Sequence, residues 1–225
     1  MIAFVGNESS DIMLYLAITL KQQNRRVLIL DETKRETIPC FLEEGNTTDQ
    51  YEVVKNSIEQ HREIDYLSGH RFSSFDASCL EKLKEDYDDI FLRVERNYDE
   101  TWTAHCKSIL FLSDLQKDSI EYLKIISEIR QPDIIMLRNI INCKIKPKYV
   151  LLQLRKKEKE TKVILVPYRN KDRRYQIENQ YNNRVRFNQL SSKLRRGILE
   201  ILCFLVPELD KRKIKKAFEV AGKGI

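Results

Sequence analysis

The chain has 225 residues, 42% of them hydrophobic, which is enough to bury the core of one α/β domain, so we expect a single domain over residues 1–225. No stretch approaches the roughly 20 apolar residues of a membrane span, no cleavable signal peptide begins the chain, and five scattered cysteines fit reduced thiols. A cytoplasmic protein without structural disulfides or a metal site is therefore expected.

The net charge of +6 is unevenly distributed along the chain. From Lys144 onward there are 23 Lys/Arg and 8 Asp/Glu, against 17 Lys/Arg and 26 Asp/Glu before it. This asymmetry indicates an acidic partner for the second half or a self-complementary assembly, with a merely solvated basic surface as the alternative.

Apolar periodicity and turn-forming residues predict alternating strands and helices along most of the chain. The predicted strands are 2–5, 26–30, 63–67, 89–94, 108–112, 133–137 and 162–166. The predicted helices are 12–22, 51–61, 78–85, 117–129, 147–157, 189–205 and 207–220. This alternation predicts an α/β fold with a doubly wound, mostly parallel sheet and helices on both faces.

Residues 2–32 have the order of a nucleotide-binding βαβ unit, but the connection after the first strand is short. It consists of Gly6, Asn7, Glu8, Ser9, Ser10 and Asp11. A phosphate-binding P-loop needs several glycines, a lysine for the β- and γ-phosphates and a Ser or Thr for magnesium. Here there is one glycine and no lysine, while Glu8 and Asp11 bring negative charge to a position meant for anions. The sequence thus predicts the frame of a nucleotide switch without its chemistry.

Several segments, in order along the chain, resemble the MinD/ParA group of P-loop ATPases, including the TadZ/CpaE-like proteins of pilus assembly. The segments are NRRVLILDE (24–32), IDYLSGHRF (64–72), YDDIFLRVERN (87–97), KSILFLSDLQKDSIEYLKIISEI (107–129), DIIMLRNIIN (133–142) and VILVPYRNKDRRYQIENQ (163–180). The resemblance implies a P-loop NTPase-like fold, an ATP site and dimerisation coupled to nucleotide.

The resemblance also implies which residues would contact a nucleotide. These are Gly6, Asn7, Ser9, Ser10, Asp31 and Asn139. Asn139 has the family position that contacts the adenine base, and Asp31 matches the acidic residue after the second strand. Structural roles are the alternative, with Ser9 and Ser10 as helix N-caps and Asp31 as a cap at a strand end.

One position departs from the family in a way that bears on catalysis. The acidic residue that holds magnesium in the family corresponds to Arg93 in this chain. A guanidinium stays protonated and cannot ligate Mg²⁺, and phosphoryl transfer depends on cations and donors placed around the γ-phosphate. We therefore predict no catalytic residue, no metal ligand and no cofactor, with ATP as the alternative cofactor.

These observations together predict a non-hydrolysing pseudo-ATPase that acts as an assembly or localisation factor, with a pilus or secretion machine as the first interpretation. It is expected to form a homodimer and to bind a protein partner. An atypical ATP-binding switch and a basic module that binds DNA or a membrane surface are the alternatives.

The last helix carries both apolar and basic residues. Ile214, Ala217, Phe218 and Ala221 share one face, and five Lys/Arg cluster between 211 and 216. We expect the apolar face to pack on the domain. Peripheral contact with an anionic membrane and non-specific binding of DNA are the alternatives for the basic residues.

Overall fold

The computed structural model describes residues 1–7, 9–31, 58–61, 64–68, 77–94, 103–154 and 160–224. The strands in these ranges are β1 (Ile2–Val5), β2 (Val27–Asp31), β3 (Glu59–His61), β4 (Ile64–Ser68), β5 (Asp89–Val94), β6 (Ser108–Ser113), β7 (Ile134–Ile140) and β8 (Lys162–Pro167). The helices are α1 (Ser10–Lys21), α2 (Ala77–Asp86), α3 (Lys117–Ile129), α4 (Pro147–Leu154), α5 (Asn170–Tyr181), α6 (Ser192–Leu205) and α7 (Lys211–Ala221).

The described strands form one sheet in the order β3-β4-β2-β5-β1-β6-β7-β8. Neighbouring strands are parallel except β3 and β4, which are antiparallel. The parallel strands therefore end at one common edge, which we call the carboxyl edge. In open α/β sheets this edge is where ligands bind.

Helices cover both faces of the sheet, which confirms the predicted fold class. On one face α1, α6 and α7 enclose the core that contains Phe4, Phe91 and Met136. On the other face α2, α3 and α4 enclose the core that contains Leu92 and Phe111. The inner strands are apolar on both sides and read as continuous apolar runs, as is usual for buried parallel strands. The helix α1 is buried from Ser10 to Leu20 because α6 and α7 pack over it.

The helix α7 packs its apolar stripe on this core, as expected from the sequence. Ile214, Ala217, Phe218 and Ala221 are buried, and the Phe218 ring lies 4.9 Å from the ring of Phe187 between centroids. None of the helices in the described ranges is long and apolar enough to cross a bilayer.

The structure corrects one predicted helix and adds another. Residues 59–61, predicted as the end of a helix at 51–61, form β3 because they pair with β4, and tertiary pairing outweighs local pattern in such short segments. Residues 51–57 and the polar stretch 32–50 lie outside the described part. The helix α5 was not predicted because only Asp172 and Asn179 are buried along it, so no apolar stripe marks it.

Two predicted helix starts move toward the C-terminus for a common reason. Helix α6 begins at Ser192 rather than 189, since the Ser191 side chain accepts a hydrogen bond from the Leu194 amide. Helix α7 begins at Lys211 rather than 207, since the Asp210 side chain accepts from the amides of the second and third helical residues. Both are N-caps that fix the first turn.

Candidate functional site

The turn that joins β1 to α1 is tight and depends on Gly6. The Gly6 amide donates to the carbonyl of Val94 at 3.0 Å, and its φ of +119° is one that L side chains rarely adopt. A Cβ at this position would lie 2.2 Å from the carbonyl oxygen of Leu112. Only residues 6–9 separate β1 from α1. Counted from Gly6, the second glycine and the lysine of the P-loop motif would fall on Asp11 and Ile12.

Ser9 and Ser10 take different places at the start of α1. Ser9 is the N-cap residue, as one of the two structural roles expected, but it makes no side-chain capping bond. Its buried hydroxyl instead donates to the Gly6 carbonyl at 3.1 Å and accepts from Arg93 Nε at 3.2 Å. Ser10 is the first residue of α1 rather than its cap. Glu8 lies outside the described residues. Asn7 is exposed, and its side-chain amide donates to Ser119 Oγ at 3.3 Å.

Arg93 and Asp31 form a buried ion pair at the carboxyl edge. They are partners in the register of β5 and β2, and Arg93 Nη1 lies 3.0 Å from Asp31 Oδ2 and 3.3 Å from Oδ1. The two side chains are 1% and 0% exposed. The Tyr66 hydroxyl donates to Asp31 Oδ2 at 3.3 Å. Asp31 is therefore engaged in an ion pair, and its predicted cap would involve residues from 32 onward, which lie outside the described part.

A second buried ion pair joins β7 to the start of α1. Arg138 contacts Asp11 with two parallel bonds, Nη1 to Oδ1 at 2.5 Å and Nη2 to Oδ2 at 3.0 Å. The side chains are 4% and 2% exposed. Asp11 Oδ1 also accepts from the Ile12 amide at 2.9 Å. A helix N-terminus is an anion site, and here the anion is a carboxylate of the same chain.

Strand alternation explains why both arginines face α1. Side chains two residues apart in a strand lie on the same face. Phe91 and Met136, two residues before Arg93 and Arg138, pack in the core that α1 closes. Arg138 was not predicted as a site residue. The sequence feature that could have identified it is the single charged residue in the mostly apolar strand β7, IIMLRNI.

Tyr15, one turn further along α1, lies beneath the Arg138–Asp11 pair. Burial raises the pKa of its phenol well above the ordinary value of 10, and the nearby Asp11 carboxylate raises it further. The phenol therefore stays protonated in the folded protein throughout the neutral range. Among the described residues no group of His, Cys, Asp and Glu could hold a metal ion.

Asn139 lies at the carboxyl end of β7, next in the chain to Arg138. It has a φ of +57° at an irregularity in the pairing of β7 with β8, and it lines a groove of about 370 Å³. The walls of this groove include Leu115, Ile141, Ile145, Tyr168 and Arg173. The structure thus brings Gly6, Ser9 and Asp31 together and places Asn139 in this groove.

Comparisons with known proteins identify the fold. No family model matches the amino-acid sequence, and no curated protein matches it. The structure is similar to a ParA family ATPase from Chlorobium tepidum TLS, with 12% identity and a TM-score of 0.60, covering 98% of this chain and 96% of that one.

Two further solved structures have the same architecture. The MinC:MinD cell division protein complex of Aquifex aeolicus gives 10% identity and a TM-score of 0.58 over 81% of this chain and 86% of the matched chain. Apo McdA of Cyanthece gives 10% identity and a TM-score of 0.56 over 96% and 99%. The chain therefore has the fold of the MinD/ParA-type P-loop ATPases.

Proposed function

We propose that this protein is a non-hydrolysing, nucleotide-independent variant of the MinD/ParA fold that acts as an assembly or localisation factor. The observation that carries the proposal is the pair of buried Arg–Asp contacts at the start of α1, Arg93–Asp31 and Arg138–Asp11. They give this region a balanced set of positive and negative charges from the chain itself. No cofactor is needed to complete them.

A nucleoside triphosphate would meet three obstacles here. The N-terminus of α1, which would bind phosphate, already has the carboxylate of Asp11. Asp31 is paired with Arg93, whose protonated guanidinium has no lone pair to ligate Mg²⁺. Separating either buried pair would leave an uncompensated charge, at a cost of about 3–5 kcal/mol. An atypical ATPase would have to overcome all three, which favours the non-hydrolysing function.

A protein partner and self-association complete the proposal. One solved structure with this fold is a complex of MinD with MinC, which supports a protein as the kind of partner. Without a nucleotide to control the association, we infer a homodimer that forms constitutively. The resemblance to TadZ/CpaE-like proteins makes a pilus or secretion machine the first setting to examine, by analogy alone.

The exposed side of α7 favours a second candidate function, the binding of an acidic surface. Its basic residues are all exposed while its apolar face is buried, and they are Lys211, Arg212, Lys213, Lys215 and Lys216. Because Phe218 is 1% exposed, this helix offers charge rather than an inserting apolar face. DNA or the headgroups of an anionic membrane, with peripheral attachment, would both fit such a surface.

The test of the first function is magnesium-dependent release of phosphate from ATP by the purified protein. We expect release no faster than in a buffer blank. Turnover that disappears in Ser10→Ala or Asp31→Ala would contradict the proposal and favour the atypical ATPase.

The oligomeric state is tested separately by light scattering at moderate salt. A dimer mass without added nucleotide is expected, and a strictly monomeric protein at micromolar concentrations would contradict the dimer. For the second candidate, binding to anionic vesicles or duplex DNA should weaken with salt and in Lys213→Glu/Lys216→Glu. If the double variant binds vesicles and DNA as the wild type does, α7 is not the surface that contacts them.

A further inference from the structure

The groove at the ends of β6, β7 and β8 has apolar walls open to solvent. Ile141 is 58% exposed, Ile145 is 54% exposed and Tyr168 is 41% exposed. All three line one groove together with Leu115. Single exposed apolar residues are normal on a protein surface, but several gathered in one concave place mark an interaction site.

The groove and the residues beside it carry more cations than carboxylates. Asp114 and Arg173 both line the groove, and each bonds a neighbouring neutral amide: the Asp114 carboxylate accepts from the Gln116 amide at 2.9 Å, and Arg173 Nη1 donates to Gln176 Oε1. Lys144 and Lys146 are exposed on either side of Ile145 in the chain, and Lys146 Nζ donates to Asn142 Oδ1 at 3.4 Å. Within the described part of the chain, these three cations form no ion pair with a carboxylate. With one carboxylate against three cations, the net charge in and beside the groove is positive.

From these two observations we infer that the groove docks an acidic peptide segment of a partner protein, with one or two large apolar side chains inserted between Ile141, Ile145 and Tyr168. The volume of about 370 Å³ lies at the low end of ligand pockets, so it can accept a few side chains. Carboxylates on either side of the anchor would meet Lys144, Lys146 and Arg173. A basic segment would be repelled by the same cations.

This inference rests on the proposed function as an assembly factor and gives the location and chemistry of its partner contact. A peptide site and a nucleotide site differ in the residues that the ligand must contact. An acidic peptide needs the exposed isoleucines and the lysines of the rim, and it needs nothing from the turn at Gly6 or from the two buried ion pairs.

The test is a selection from a displayed library of random 12-residue peptides against the purified protein, with Ile145→Asp as the counter-target. Enriched peptides would be synthesised with a fluorescent label and titrated by anisotropy. Enriched sequences are expected to combine Asp or Glu with an aromatic or aliphatic anchor. Their dissociation constants should rise at least tenfold for Ile145→Asp and for Lys144→Glu/Lys146→Glu.

The matched control is Leu152→Asp, which places the same charge at a residue of α4 that is 76% exposed and does not line the groove. It should bind the peptides as the wild type does, and the melting temperatures of all variants should be alike. The inference is overturned if no sequence is enriched, if the enriched peptides lack acidic residues, or if Ile145→Asp binds them equally.

Two further outcomes would identify a different occupant and would also overturn the inference. Displacement of the peptide by adenosine would mean that the groove takes a nucleoside base. Loss of the dimer in Ile145→Asp, measured by sedimentation, would mean that a second copy of the chain occupies it. Failure of the proposed function itself is read from ATP turnover, which none of these peptide measurements reports.

Discussion

The carboxyl edge of the sheet has two parts that handle charge and apolar surface in opposite ways. Around α1, Arg93, Asp31, Arg138 and Asp11 are almost fully buried and neutralise one another. At the ends of β6–β8, apolar side chains are exposed, and Lys144, Lys146 and Arg173 form no ion pair with a described carboxylate. Buried charges must be paired by the chain or by a ligand, whereas exposed apolar groups contribute little to folding. On our proposal, the first part is closed by the chain's own charges and the second is open to a partner.

Breaking the Arg93–Asp31 pair of the closed part should destabilise the protein most. Arg93→Met should lower the free energy of unfolding by about 3–5 kcal/mol, because it removes the buried guanidinium that pairs with the Asp31 carboxylate. Chemical denaturation measures this loss. Adding Asp31→Asn should restore part of it, since the double variant buries no unpaired charge.

The matched control for this prediction is Arg174→Met, which removes one arginine from a surface pair with Glu178 at 3.4 Å. Its effect should be well below 1 kcal/mol, because exposed ion pairs contribute little. Equal losses of unfolding free energy in Arg93→Met and Arg174→Met would show that the buried pair stabilises the fold no more than the exposed pair does.

A smaller loss is expected from Gly6→Ala, which tests the short turn of the closed part. An alanine must adopt φ near +119° and bring its Cβ close to the Leu112 carbonyl. We expect destabilisation of at least about 2 kcal/mol by thermal or urea unfolding. The exposed neighbour substitution Asn7→Ala should change stability by less than about 0.5 kcal/mol. A Gly6→Ala protein as stable as the wild type would show that position 6 accepts a Cβ and that the turn does not depend on glycine.

Alkaline pH should lower the free energy of unfolding because of the buried phenol of Tyr15, next to the Arg138–Asp11 pair. Its pKa is raised in the folded protein by burial and by Asp11, so below pH 10 both folded and unfolded chains keep the phenol protonated. Above pH 10 only the unfolded chain ionises, and the free energy of unfolding falls. Between pH 9 and 11 the wild type should lose about 1 kcal/mol more than Tyr15→Phe. Parallel pH curves for the two proteins would refute this explanation.

The smallest effect on stability is expected in the open part. Ile141→Asp should change the free energy of unfolding by less than about 0.5 kcal/mol, because the side chain is 58% exposed and buries little surface. Circular dichroism during urea unfolding checks it. A loss comparable to that of Arg93→Met would mean that the groove residues support the fold, and the contrast between the two parts would fail.

The fold could be predicted from the sequence because apolar runs such as VLILD and SILFLS alternate with helical spacing. That the segment between β1 and α1 has no lysine could also be read from the sequence, since it depends on residue types alone, and its consequence for ATP stays a prediction. The Arg138–Asp11 pair could not be found in the same way, because its members lie 127 positions apart and only the sheet order brings β7 near α1. The groove was missed because Ile141, Ile145 and Tyr168 come from loops after two different strands.

Thermal unfolding of the wild type with and without 1 mM Mg²⁺–ATP, supported by calorimetric titration, measures whether the protein binds nucleotide. We expect identical melting curves and no heat of binding, because Asp11 and Arg93 already complete the charges around α1. A dissociation constant of about 10 μM would instead stabilise the protein by roughly 2.7 kcal/mol and raise its melting temperature visibly. Such a shift, lost in Asp31→Ala, would contradict the claim that the chain supplies its own charges in place of a nucleotide.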